Sequence, residues 1–229
     1  IKVNGVIMGA TFACVALFPE AFLRHRAPGP LESFVVAAGI AAILLGQMVR
    51  VSARGFKSEH SSNGYALVQG GPYALVRNPM YLGILLIGIG VVSVLFKWWA
   101  AFVFLLVFIL RYITLIHKEE ERLQVAFPGD YSGYRKHTPL LFPDLRLLPK
   151  KDVSAYFPFK WSWLRKENRS IGPILLAVFI LRSWLDIIHR GWAYYAGQAF
   201  LWGGLIFLFL GAGFYLNKKT LESEKRGLT

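Results

Sequence analysis

Cysteine is almost missing from this chain: Cys14 is the only one among 229 residues. A lone cysteine forms no internal disulfide, so a small disulfide-stapled scaffold is excluded. Charge is scarce as well, at 17% of residues, against about 25% in an ordinary soluble domain. Acidic residues are especially few, with 13 Asp and Glu against 26 Lys and Arg. No group of His, Cys, Asp or Glu has metal-ligand spacing. No Ser-His-Asp arrangement and no phosphate-gripping glycine loop is present either. What fills the chain is apolar: 55% hydrophobic residues, 18 Phe, 10 Tyr and 7 Trp, and a mean hydropathy of +0.45. Too little polar surface remains to cover such a protein in water, and disorder is excluded on the same ground. Cys14 sits in an apolar run and reads as a buried, inert thiol.

A membrane helix needs roughly 20 mainly apolar residues. Six segments approach this: Val6 to Leu23, Phe34 to Val51, Met80 to Phe96, Trp98 to Ile116, Ile171 to Ile188, and Trp192 to Leu216. The first lacks a small-x-small cleavage site and reads as part of the mature chain. The pattern predicts an all-α polytopic membrane helix bundle of about six transmembrane helices. Lys97 alone separates the third and fourth spans, so they form a tight helical hairpin, with Trp98 and Trp99 at its tip.

The net charge of +13 needs a location before it has a meaning. Residues Arg50–Pro79 hold four basic and one acidic residue, and His117–Ser170 hold eleven and seven. The tail after Leu216 holds four and two. The positive-inside rule then puts both termini and both long polar segments in the cytoplasm. Basicity of this kind reflects topology and contact with anionic lipid rather than nucleic-acid binding. The segment 150–170 interleaves Tyr156, Phe157, Phe159, Trp161 and Trp163 with lysine and arginine, as an interfacial stretch does. A plain loop lying on the head groups reads the same way.

Chemistry is expected where polar residues enter apolar surroundings. One cluster runs from Gly70 to Gly83, with Gly71, Tyr73, Arg77, Asn78, Pro79 and Tyr81. Pro79 suits a first helical turn and Asn78 an N-cap; free N–H groups there can meet an anion. The other cluster, His117 to Leu123, holds Glu119, Glu120 and Glu121. The hairpin brings the two clusters to one membrane side. A helix cap with a snorkelling arginine, and a wetted glutamate face, are the plain alternatives. Deeper in the fourth span, Arg111 either holds an anionic acceptor or pairs with a neighbouring helix. Arg182 and Asp186 stand four apart and read as a structural pair. Gly203, Gly204, Gly211 and Gly213 would permit close helix approach in the sixth span.

These motifs resemble those of the membrane methyltransferase family that includes isoprenylcysteine carboxyl methyltransferase and the phospholipid N-methyltransferases. The family's Arg-His-Pro-x-Tyr-x-Gly motif has its counterpart in Arg77-Asn78-Pro79-Met80-Tyr81-Leu82-Gly83, preceded by Gly71-Pro72-Tyr73. Its Glu-Glu pair corresponds to Glu119-Glu120, followed by Leu123 and by Phe127-Pro128-Gly129-Asp130-Tyr131 with Tyr134. The resemblance covers about 64–149, leaving 171–229 as a two-helix extension. It implies methyl transfer from S-adenosylmethionine, bound in a cytoplasm-facing pocket, to a lipidic or amphiphilic acceptor, with no metal. It also implies cofactor contacts from Gly71, Tyr73, Arg77, Asn78, Pro79, Tyr81, Glu119 and Glu120, and catalytic roles for Arg77, Arg111 and Glu120. Asn78 replaces the family histidine and cannot titrate. That replacement favours an acceptor ionised at neutral pH, such as a carboxylate, or a base supplied by Glu120 or His117; equally, the position only binds cofactor and the replacement leaves the chemistry unchanged. The alternatives are a phospholipid amine, a small thiol, or an inactive lipid-binding relative.

Overall fold

A computed structural model describes residues 17–23, 29–61, 66–143 and 153–226, without the side chains of 153 and 168–175. Most of the expected first span, including Cys14, lies outside the described residues. The described chain is helical: α1 (Pro19–Phe22), α2 (Pro30–His60), α3 (Pro79–Leu95), α4 (Trp98–Ala126), α5 (Pro128–His137), α6 (Val153–Tyr156) and α7 (Trp161–Lys225). A 3-10 turn covers Gly71–Ala74. By length and composition three helical stretches can cross a membrane: α2, α4, and Leu176–Lys225 within α7. The apolar α3 is shorter. This is a polytopic membrane bundle.

The α3–α4 hairpin turns at Phe96 and Lys97, whose backbone N–H donates to the carbonyl of Phe22 at 2.9 Å. Helix α7 is not one straight rod. Gly191 stands at φ 80°, ψ 169°, a conformation that favours glycine. In an unbroken helix Phe179 and Trp202 would be about 35 Å apart. Their ring centroids lie 5.4 Å apart, so α7 folds back on itself at Gly191. The expected fifth and sixth spans are its two arms.

Helices α2 and α3 cross at very short range, through Gly39 facing Gly90 and Gly46 facing Gly83. A Cβ on Gly46 would stand 2.7 Å from the Gly83 carbonyl oxygen, and one on Gly90 2.5 Å from that of Gly39. The sequence pointed to the sixth-span glycines for such an approach. A Cβ on Gly203, Gly204 or Gly211 would meet nothing within 4 Å.

Ion pairs clamp α2 to α7 at both ends. At the end bearing the sequence motifs, buried Glu167 takes Arg50 and, at 2.7 Å, Arg54. At the opposite end Arg182 meets Asp186 at 3.0 Å and Glu32 at 3.7 Å, and Arg190 meets Asp186 at 3.3 Å. Arg182 also donates to the Val94 carbonyl at the end of α3. The expected Arg182–Asp186 pair is thus half of a four-residue network.

The aromatic stretch before α7 turns inward. Phe159 and Trp163 pack on Val51 and Leu216, and Tyr156 is buried too. Gly55 makes the room: a Cβ there would fall 2.0 Å from the Trp163 indole. The Phe159 N–H donates to Thr220, and Lys160 pairs with both Glu59 and Glu224. The second arm of α7 therefore returns to the motif-bearing end.

Candidate active site

The segment ahead of α3 is fixed by its backbone. Gly71 takes φ 55° and opens the 3-10 turn, whose Tyr73 carbonyl accepts the Tyr134 hydroxyl at 2.6 Å. The Arg77 N–H donates to the Pro139 carbonyl at 2.9 Å. Asn78 occupies the N-cap position of α3, but its side chain does not cap. The amide donates instead to the Leu140 carbonyl at 3.2 Å. Asn78 thereby ties the helix start to the strap that follows α5. Pro79 is buried in the first turn.

Facing this segment, α4 presents its inner side. Glu120 is 7% exposed, with Arg77 at 3.3 Å and Arg135 at 4.0 Å. Glu119 is half-exposed; it accepts the Tyr81 hydroxyl at 3.0 Å and lies 3.4 Å from the Lys57 ammonium. Glu121 is exposed. Gly71, Tyr73, Arg77, Asn78, Pro79, Tyr81, Glu119 and Glu120 thus gather at one end of the hairpin. Arg111 sits on the exposed side of α4, two turns and more from the glutamates. Its neighbour Tyr112 turns inward to Tyr81, at 5.3 Å between ring centroids. His117 engages its own helix, at 2.7 Å from the Ile113 carbonyl.

Lys57, Tyr112, Arg135 and the inward faces of Tyr131 and Tyr134 complete the site. Of these only the tyrosines of α5 belong to the motifs read from the sequence. Tyr112 continues a four-residue aromatic spacing, Phe104-Phe108-Tyr112, that marks an inward helix face.

The site is electrostatically tight. Burial, then the Glu120 carboxylate, push the Tyr131 phenol up to about 12, with Arg77 and Arg135 pulling the other way. Burial and Glu119 also raise Tyr73, and burial raises Tyr134. All three remain neutral hydrogen-bond donors at physiological pH. Yet two guanidinium nitrogens of Arg77, Nε and Nη1, are buried without a hydrogen-bond partner, and Glu120 Oε1 has no hydrogen bond beyond its 3.3 Å ion pair with Arg77. Buried polar atoms are rarely left so. Arg77, Asn78, Glu119, Glu120, Tyr73 and Tyr131 line a small cavity of about 40 Å³. Leu67 and Val68 line both this cavity and a larger one of about 720 Å³, which Phe56, His60 and Gly71 also line.

Residues 34–129 match the family model described as phospholipid methyltransferase. Over these residues the chain is similar to the phospholipid methyltransferases. The match runs from α2 through the hairpin to Gly129, so it starts earlier than the motif resemblance and stops before Tyr131. A domain of an S-adenosylmethionine-dependent methyltransferase family is therefore present over residues 34–129, and that likeness implies use of the cofactor. Over 81 residues the chain is 37% identical to the cobalt-zinc-cadmium resistance protein CzcN of Cupriavidus metallidurans. That stretch covers 35% of this chain and 37% of the relative, so the chain matches little more than a third of that protein's length. No solved structure matches. Among the described residues, no group of three His, Cys, Asp or Glu side chains is placed to hold a metal ion.

Proposed function

We propose that the protein transfers a methyl group from S-adenosylmethionine to the amine of a phospholipid head group at the cytoplasmic membrane surface. The observation that carries it is the pair of buried Arg77 nitrogens, Nε and Nη1, left without a hydrogen bond beside the buried Glu120 carboxylate. A zwitterionic ligand would suit them: a carboxylate can accept from a free Arg77 nitrogen while Arg77 Nη2 keeps Glu120, and an ammonium or a hydroxyl can reach the Glu120 carboxylate. A cavity of about 40 Å³ holds little more than a water. The nucleoside end is therefore assigned to the larger cavity that shares Leu67 and Val68, beside Phe56 and Gly71.

The phospholipid methyltransferase match supports an amine acceptor over the carboxylate that Asn78 favoured on sequence grounds. When bound, S-adenosylmethionine supplies an electrophilic methyl on a sulfonium, and transfer leaves the electron pair of the broken C–S bond on sulfur. The chain's own work is to hold donor and acceptor in line and exclude water. A primary amine is mostly protonated at neutral pH and must lose a proton first. Glu120 is committed to Arg77, and His117 faces out along α4. Glu119, half-exposed beside Tyr81, is the group placed to take that proton and pass it to water. Phenols kept neutral, as at Tyr73 and Tyr131, add no competing negative charge.

Calorimetric titration of the purified protein with S-adenosylhomocysteine tests the reading. Saturable one-to-one binding that weakens in Arg77→Met is expected. Absence of binding to folded protein defeats it.

A further inference from the structure

The α4 face beneath Glu119 carries an aromatic ladder. Phe108 stacks on Tyr112 at 4.4 Å and 28°, and Tyr112 meets Tyr81 at 5.3 Å with the rings inclined at 55°. The Tyr81 hydroxyl donates to one Glu119 oxygen at 3.0 Å, while the Lys57 ammonium lies 3.4 Å from the other. The Tyr81 ring beside the Glu119 carboxylate, with Tyr112 inclined against it and backed by Phe108, offers electron-rich aromatic surface next to a full negative charge. A substituted ammonium suits such a setting better than a hydrated primary one, because it needs few hydrogen bonds and sheds water readily.

Lys57 shows that the carboxylate already draws a cation across the cleft from α2. Its side chain is 44% exposed and that of Glu119 39%. An ion pair this open is weak and exchangeable. We propose that Tyr81, Tyr112 and Glu119 seat the substituted ammonium of the acceptor head group, and that Lys57 occupies Glu119 until the acceptor displaces it. The inference rests on the amine-lipid reading above and adds the residues that recognise the head group. Glu119 and Glu120 are consecutive on α4, so this seat lies beside the one assigned to the methyl donor. Each added methyl makes the head group larger and less hydrated, so the seat holds later acceptors, and the trimethylated product, more tightly than the first.

The test titrates the full chain in detergent with dihexanoyl-phosphatidylcholine and with tetramethylammonium chloride, against sodium chloride of equal ionic strength. Both probes are expected to bind the wild-type protein. Tyr112→Leu weakens both by about fivefold or more, Tyr112→Phe restores most of the loss, and Lys57→Met tightens both by removing the competitor. Melting temperature in the same detergent checks that each variant is folded. Wild-type affinity in folded Tyr112→Leu overturns the proposal, as does Tyr112→Phe binding no better than Tyr112→Leu. Weaker binding in Lys57→Met also overturns it, because a structural or anion-holding lysine gives that sign. If Tyr112→Leu fails to fold, the Tyr112→Phe and Lys57→Met results decide. The titrations read no methylation. Probe binding without methylation of any amine lipid therefore leaves the seat standing and removes the transfer reading, while methylation without probe binding does the reverse.

Discussion

At the residue scale the site turns on three neighbouring glutamates with three different environments. Glu120 is enclosed between Arg77 and Arg135, Glu119 bridges Tyr81 and Lys57 at half exposure, and Glu121 faces out. A charge-assisted hydrogen bond to a buried ligand group is worth a few kcal/mol. Glu120→Gln is therefore expected to weaken S-adenosylhomocysteine binding by about tenfold to several hundredfold in calorimetry. Glu121→Gln should leave the affinity close to wild type; a large loss there with an unchanged Glu120 variant would put the wrong glutamate in the pocket. A pH effect follows from Tyr131. Its phenol titrates near 12 in the folded protein against about 10 in an unfolded chain. The raised value means that its contribution to stability is complete below about pH 10 and is lost as pH climbs through about 12. Tyr131→Phe should lose less stability than wild type over that alkaline window, measured by melting in detergent; identical pH profiles would exclude Tyr131 as the titrating group. The motif residues were legible because they lie close together in sequence on both sides of one tight turn. Lys57 was not, since 62 residues separate it from Glu119 and nothing local marks it. Asn78 was half legible: its position follows from Pro79, but where its amide points depends on Leu140.

At the element scale the bundle is set by close helix approach and by ion pairs that hold α2 at both ends. A Cβ at Gly46 would stand 2.9 Å from the Ile87 backbone nitrogen as well as 2.7 Å from the Gly83 carbonyl. Backbone cannot swing aside as a side chain can. Gly46→Val is expected to destabilise by at least about 1–3 kcal/mol, and to loosen cofactor binding because α2 carries Phe56, which lines the larger cavity. Gly203→Ala, with open space around it, should melt like wild type; the reverse order would contradict the crossing. Spacing alone could not separate these glycines, since every apolar helix offers a small-residue stripe and only the partner helix decides which is used. The opposite clamp gives a second expectation. Arg182→Met leaves Asp186 and Glu32 with one arginine between them, and removing one partner of a buried ionic network costs about 3–5 kcal/mol. Adding Asp186→Leu should recover much of that loss in detergent melting. A double variant no more stable than the single one would show that the pair is not the source. The Arg182–Asp186 half of this network was legible from i, i+4 spacing; Glu32 and Arg190 joined it through the packing of α2 on α7.

At the scale of the whole molecule, the family-matched part carries the proposed chemistry and α7 adds lining to the larger cavity. The match ends at Gly129. Lys219, Glu222, Ser223 and Arg226, beyond it, nevertheless line the larger cavity, and Lys160 joins Glu59 to Glu224 across its neighbourhood. The bundle class and the same-side convergence of the motifs were legible from hydropathy and the Lys97 turn. The folding back of α7 was foreshadowed only by two apolar runs around Gly191, and its inward aromatics depended on the gap at Gly55. The most direct measurement supplies purified protein, in vesicles containing phosphatidylethanolamine, with S-adenosylmethionine labelled at its methyl. Alkali-stable label in N-methylated phosphatidylethanolamine, abolished in Arg77→Met, is the expected result. Alkali-labile label released as methanol, or no lipid label from protein that binds the cofactor, contradicts amine methylation.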